Sequence, residues 1–428
     1  SGMAEKSLAY LREKKDLFWL YGEKPFLQMT AIAQAETQST GAIQAFVATG
    51  NTTVLTQSQV ESPLTEAEKA ILVIQMMGFG LGGKKTDNSV VLSPGYQSKY
   101  SDKGKPSTGK PGPSIGFLGF LHSFLQGVLL QETLWLNLLT EENMDGLKIF
   151  PEGFGIAPWE KMPDGEDCPA AKSLKNSYMG RLIPISRFVL LADDGLHYSE
   201  GIAHTGYAEG MADVSIAVDF SGKKPKALWT DPEKRPWRQL PSLLSFLGTE
   251  KNGVFDCLQL RIGITRARGC SLAKLGIWSG GLRVSSNAGE QYVSGSDDFV
   301  ESEIELELSF LGDIWFSNLK QEMGELEQLS KIAYGATIAY FKAQNADGKN
   351  HAGQAANLFW QLCERRFYEL VAACDDKSGE DARKLRPVFA GFVNKAYNAY
   401  CPNDTARQLD AWAINRPNLA RYLQPLAS

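Results

Sequence analysis

The residues best suited to chemistry stand in three clusters. Gly78-Phe79-Gly80-Leu81-Gly82-Gly83-Lys84-Lys85-Thr86 holds a literal G-x-G-x-x-G followed by two lysines. Glycines let the backbone approach a phosphate or sugar edge, and ammonium groups neutralise charge there. A dinucleotide site needs a strand before such glycines and a helix after them, so that the pyrophosphate sits on the helix N-terminus. Here a helical pattern comes first and a lysine-rich loop follows, and Lys85 stands where a P-loop carries the Ser or Thr that holds magnesium. Contact with a sugar-phosphate edge and a tight turn with solvated lysines both remain open. The alternative from another class is a nucleotide-dependent enzyme using Gly78–Thr86 as a phosphate cradle.

The second cluster is Lys223-Lys224-Pro225-Lys226, an expected hairpin turn, followed by Lys234, Arg235 and Arg238 with Trp229 and Trp237 interleaved. Such a run suits a polyanion, and it suits a solvated turn equally. The third runs from Gly280 to Gly289, where the small polar tip Ser286-Asn287-Ala288 lies between strand-like flanks and predicts a protruding hairpin. Catalytic groupings are scarce by comparison. His122, His197, His204 and His351 lack metal-ligand spacing, and neither G-x-S-x-G nor H-E-x-x-H occurs. Ser221-x-x-Lys224 and Ser271-x-x-Lys274 match S-x-x-K without its companion motifs. No catalytic residue, cofactor or metal site is expected.

The elements that must position these clusters follow from pattern. Thr65-x-x-Glu68 is a capping box ahead of Ala70-Ile71-Leu72-Val73-Ile74, which predicts a buried helix from near Pro63 to the glycines at 78. Residues 37 to 62 and 78 to 114 read as long loops, the second carrying six lysines against two aspartates. Asp16 to Leu27 opens with a helical apolar segment, and Phe117 to Leu139 reads as one buried helix, since Glu132 within it would be costly in a membrane. Arg187–Leu191 and Val214–Val218 read as strands. Residues 261 to 283 are basic without an acid, with Arg266, Arg268, Lys274 and Arg283 as supporting cations. By contrast Glu301, Glu303, Glu305 and Glu307 line one face of an expected strand, a face that must be solvated or paired.

Beyond Ser317 the apolar period becomes helical, with Leu326, Leu329, Ile332, Ala333, Ala336 and Tyr340 on one stripe and three further helical segments behind it. The expected fold is therefore α+β, a mixed α/β N-terminal domain over 3–317 followed by a C-terminal antiparallel four-helix bundle over 318–428. Composition agrees: the 428 residues are 43% hydrophobic and 22% charged, enough for a large core. A formal charge of -5 excludes a general polyanion binder and leaves local patches. Six cysteines without a C-x-x-C pair indicate reduced thiols in a cytoplasmic protein, and no membrane span is expected. Ser1-Gly2 ahead of Met3 reads as a processing scar.

The order of several short stretches resembles the CasA family, the large subunits of the type I-E CRISPR surveillance complex, Cascade. They are Tyr21-Gly22-Glu23-Lys24-Pro25-Phe26-Leu27-Gln28, Ala45-Phe46-Val47, Gly78 to Gly83, Leu136-Asn137-Leu138-Leu139-Thr140, Ser279-Gly280-Gly281-Leu282-Arg283 and Asn357-Leu358-Phe359-Trp360. The resemblance implies a non-catalytic subunit that reads the protospacer-adjacent motif (PAM) of double-stranded DNA from the minor groove. It also implies guide RNA, the other Cascade subunits and a recruited helicase-nuclease as partners. By resemblance, Gly80, Leu81, Gly82, Gly83, Lys84 and Lys85 form the glycine loop, one of Lys223, Lys224 and Lys226 is a lysine finger, and Ser286, Asn287 and Ala288 form a wedge. Phe46, Val47 and Ala48 would hook the 5′ handle of the guide. The family's strand-rich opening with its Trp-Ile-Pro signature is not found before Ala4, so this chain is expected to lack that segment. Asn287 stands where a glutamine is expected, and His197 to Tyr207 holds no cysteine.

Overall fold

The computed structural model describes residues 2–40, 63–79, 119–144, 147, 149–202, 204, 213–249, 254–270, 272–282 and 299–423. The mixed α/β character expected from sequence is what it shows, with a helical C-terminal region. Among the described residues the strands make three small sheets, all antiparallel in their pairings.

Helix α1 (Met3–Glu13) and strand β1 (Thr37–Gln38) open the chain, and helix α2 (Glu66–Phe79) follows. α2 begins where the capping box places it: Thr65 donates its backbone N–H to Glu68 Oε2 at 2.8 Å, and the Glu68 N–H reaches Thr65 Oγ1 at 3.3 Å. It buries Leu72, Val73, Met76 and Met77 against β3 (Arg187–Ala192) and β4 (Gly195–Glu200), joining Phe188, Val189, Leu196 and Tyr198 in one core. The first sheet has the order β1-β4-β3. Asp16 to Leu27 departs from expectation: only Lys15–Leu17 is helical, as a 3₁₀ turn, and Phe26 N–H returns to the Trp19 carbonyl at 2.8 Å.

The expected single helix over Phe117–Leu139 is corrected. His122–Gln126 is a strand, β2, and Leu130–Asn137 is the short helix α3. The reason lies in the period: Leu121, Ser123 and Leu125 point inward while His122, Phe124 and Gln126 point away, an alternation of two, and Gly127 ends it. Val214–Val218 is likewise only partly extended. Strand β5 is Val218–Asp219, because Asp213 Oδ1 takes the Ser215 N–H at 2.7 Å and turns the chain just before it. β5 pairs with β6 (Lys226–Ala227) and β7 (Phe255–Asp256).

Helix α4 (Leu258–Gly269) leads to β8 (Lys274–Leu282) and β9 (Phe299–Glu307), paired from Lys274 opposite Glu307 to Leu282 opposite Phe299. The second sheet has the order β2-β8-β9. Along β9, Glu301, Glu303 and Glu305 are exposed while Val300, Ile304 and Leu306 are buried, as the sequence alternation predicts. The exposed face is partly paired: Lys274 Nζ lies 2.8 Å from Glu305, and Trp278 Nε1 donates to Glu301 at 2.9 Å.

The last third is helical. α5 (Asp313–Ala343, 31 residues), α6 (Lys349–Glu364) and α7 (Arg386–Tyr400) pack on one another, with shorter helices including α8 (Ala406–Ile414). α5 starts at Asp313, so the expected boundary at 317/318 falls in its first turns. Leu326, Leu329, Ala333 and Tyr340 are buried on the predicted stripe. Leu319 and Leu326 share one continuous core with Phe359, Phe389 and Val393 as well as with Leu125 and Ile277 of the second sheet. Glu322 is buried and accepts two bonds from Arg386, Nε at 2.8 Å and Nη2 at 2.6 Å, which clamps α5 to α7.

His204 gives the fold a pH dependence. Its Nε2 lies 2.6 Å from the Pro184 carbonyl in a buried position, and burial, then the nearby Arg181 charge, pushes its pKa down to about 3. The unfolded chain, with an ordinary value near 6.5, takes up this proton first as pH falls, so stability drops between about 6.5 and about 3. We expect His204 to account for about 2 kcal/mol of the loss between pH 7 and 5. Denaturant midpoints at both pH values should fall further apart in the wild type than in His204→Gln; equal separations would sink this account.

Candidate nucleic-acid interface

The Lys223–Lys226 turn lies where sequence placed it, at the tip of the β5–β6 hairpin, whose register sets Asp219 opposite Lys226. Asp219 Oδ1 takes the Ser221 N–H at 2.8 Å, an Asx turn that fixes the start of the loop. That hydrogen bonding from Ser221 holds the Asp219 carboxyl below its usual range, with a smaller effect from Lys226. Lys223, Lys224 and Lys226 are all exposed, and Lys223 and Lys224 form no ion pair among the described residues.

The strand returning from this turn is stitched into the second sheet. Leu121 N–H donates to the Leu228 carbonyl at 3.0 Å, Thr230 N–H to the Gly119 carbonyl at 2.8 Å, and Thr230 Oγ1 to the Phe120 carbonyl at 3.1 Å. Trp229 is half-exposed and packs on Phe120 with ring centroids 4.6 Å apart. Thr230 also covers Gly281, one residue before Leu282 closes the β8–β9 pairing. Two predicted regions thus share a base: the chain leaves at Leu282 into residues 283–298 and passes through Thr230 on its way from the lysine turn. Helix α2, which leads to the glycines, packs instead on the first sheet, where the Ser186 N–H donates to the Met77 carbonyl at 2.8 Å.

Gly281 shows how tight that base is. A Cβ built there lies 2.2 Å from Thr230 Oγ1 and 2.5 Å from the Phe120 carbonyl oxygen. Backbone cannot yield cheaply, so Gly281→Ala should cost about 1–3 kcal/mol of stability. A variant with an unchanged unfolding midpoint would show that the base is not rigid.

Several predicted residues lie outside the described residues: Gly80, Leu81, Gly82, Gly83, Lys84, Lys85, Phe46, Val47, Ala48, Arg283, Ser286, Asn287 and Ala288. Their flanks are informative. α2 runs through Gly78 and Phe79, so the first glycine of the motif lies within a helix.

Three of the four supporting cations are described, and each is bonded within the fold. Arg266 donates to the carbonyls of Trp135 and Leu138, the latter at 2.6 Å, and to Asn143; Arg268 donates to the Leu311 carbonyl; Lys274 pairs with Glu305. They tie α4 and β8 to their neighbours, and of the three only Lys274 shares its charge with a carboxylate. The basic stretch after Trp229 divides similarly. Arg235 Nη1 binds both oxygens of Glu364 at 3.1 Å, Arg238 Nη2 binds Glu327 at 3.1 Å, and Trp237 is buried. Sequence missed these links between segment 232–238 and helices α5 and α6; the buried Pro236-Trp237 pair was the available signal.

Four thiols, Cys257, Cys363, Cys374 and Cys401, are buried, and burial pushes Cys257, Cys374 and Cys401 up to about 12. They carry negligible thiolate at neutral pH. Among the described residues no group of His, Cys, Asp and Glu side chains is placed to hold a metal ion, and no helix is long and apolar enough to cross a membrane.

A model of the CRISPR-associated protein Cse1 family matches residues 2–396. No curated protein matches. Among solved structures, CasA of Thermus thermophilus is 19% identical with a TM-score of 0.65, over 97% of this chain and 82% of that one. Thermobifida fusca Cse1 is 18% identical with a TM-score of 0.68, over 97% and 80%. A chain of a CRISPR RNA-guided surveillance complex is 15% identical with a TM-score of 0.66, over 98% and 82%. At these identities the structural likeness establishes a shared fold.

Proposed function

The chain belongs to the CRISPR-associated Cse1 (CasA) family, and from that premise we propose that it is the non-catalytic large subunit of a type I-E Cascade complex. It reads the PAM of double-stranded DNA from the minor groove, promotes opening of the target and offers a landing surface to a helicase-nuclease. Its partners are then guide RNA and the other Cascade subunits in the cytoplasm. Residues 3–317 form the recognition domain and 318–428 a four-helix bundle.

One observation carries the duplex reading: Lys223 and Lys224, exposed and without an ion pair among the described residues, are based, through Thr230 and Gly281, at the root of the segment that holds Ser286-Asn287-Ala288. Minor-groove donors and acceptors separate A·T from G·C and hardly one orientation from the other, so such a reader accepts several related motifs. A hairpin pushed between base pairs costs a few kcal/mol of unstacking, and the opened step nucleates pairing between guide and target. Gly80 to Lys85 would follow the backbone, and Phe46, Val47 and Ala48 would hold the guide's handle.

The test is reconstitution. A guide-loaded complex assembled with and without this chain is titrated with duplexes that differ only at the PAM. PAM-dependent binding should require the chain; PAM discrimination that persists without it would overturn the proposal.

A further inference from the structure

A cavity of about 590 Å³ opens where β9 begins, between segment 232–238 and helix α6. None of Lys223, Lys224 and Lys226 lines it. Trp237 and Trp360 are buried in its wall with ring centroids 5.7 Å apart, and Phe299 stands half-exposed beside them. The Arg238 guanidinium lies over the Trp360 ring, 3.8 Å from its centroid. Its Nη1 donates to the Glu233 carbonyl at 3.2 Å and its Nη2 to Glu327, while its buried Nε–H has no partner among the described residues. Such an orphaned donor carries a desolvation cost that a small shift toward an incoming acceptor relieves.

The chemistry of the wall selects among ligands. The exposed Phe299 ring offers a face on which a flat π system stacks, while Trp237 and Trp360, the latter under the Arg238 guanidinium, form the buried floor behind it. Asn357 and Gln361 at the rim supply amide donors and acceptors, and the exposed Glu233 carboxylate, without a partner among the described residues, accepts from N–H groups. The two arginines are already matched by Glu364 and Glu327, so a bare anion gains little here. We propose that this cavity binds a purine base of guanine type: its flat ring stacks, its N–H edge meets Glu233, and its acceptor edge meets the amides and Arg238. The assignment does not rest on the duplex reading. The base can arrive on a single nucleic-acid strand or as a free nucleotide.

Calorimetric titration of the full chain tests this, with dGMP, dCMP, an oligothymidylate and the same strand carrying one central guanine. dGMP should bind about tenfold tighter than dCMP, the discrimination of one bidentate edge. Glu233→Gln and Phe299→Ala, both at exposed positions, should each weaken dGMP about tenfold with an unchanged unfolding midpoint. A guanine-bearing strand that binds more tightly than dGMP supports the site and assigns it to strand-borne bases, and equal affinity supports it and assigns free nucleotides. The proposal is overturned if dGMP fails to bind, if dCMP binds equally well, or if binding survives both substitutions. Ala at Lys223, Lys224 and Lys226 should leave dGMP binding unchanged, which separates this site from the duplex surface.

Discussion

Replacing Lys223, Lys224 and Lys226 with alanine should lower the log–log salt slope of duplex binding by roughly two to three, at about 0.9 for each phosphate no longer neutralised. At low salt each of those phosphates should also cost about tenfold in affinity, because its neutralisation releases a condensed counterion from DNA. The three ammonium groups are exposed and already gathered on a two-strand turn, so little ordering entropy opposes their docking. Lysine-to-arginine replacements at the same positions should retain the slope, since the charge remains. Asp219→Asn should strengthen binding modestly by removing the carboxylate that faces Lys226. Adding Lys84→Ala and Lys85→Ala should deepen the loss. Binding isotherms over a range of salt decide the matter: an unchanged slope would return these lysines to ordinary solvated surface.

Glu322→Ala should produce the largest loss of stability. Arg386 sits largely buried between α5 and α7, and its guanidinium is held chiefly by the two Glu322 oxygens, with Glu325 farther off at 3.8 Å. Removing Glu322 leaves a cation in a poorly hydrated position, a change that costs about 3–5 kcal/mol where such pairs are buried, and toward the lower end here because Glu325 remains. Replacing both partners with apolar residues of similar volume should recover most of the loss, because the desolvation cost of the pair disappears with the charge. Denaturant midpoints of the single and double variants test this directly. A double variant as unstable as Glu322→Ala would mean that packing, and not the stranded charge, sets the cost.

Both expectations depend on features of different legibility. The lysine turn could be read from Ser221-Gly222 and Pro225 bracketing a charge run, and helix α2 from its Thr65–Glu68 box. Strand β9 followed from the Glu301–Glu307 alternation, and the family followed from six short ordered stretches, in agreement with the match over residues 2–396. Phe117–Leu139 was misread because apolar content outweighed period: the alternation of Leu121, Ser123 and Leu125 is short and abuts a true helix.

The cations show where reading along the chain stops. Lys223 and Arg266 look alike in sequence, yet one is exposed without an ion pair among the described residues and the other is bonded to carbonyls of Trp135 and Leu138 more than a hundred residues earlier. Arg235 and Arg238 likewise found their carboxylates on helices α6 and α5. Periodicity, caps and turn chemistry act within a few residues, so secondary elements, the overall class and the family were set by local order. Which charges stay exposed on the lysine turn, and which enclose the cavity beside Trp360, depended on acceptors supplied by distant segments, because a charge's fate is decided by what desolvates and pairs it in space.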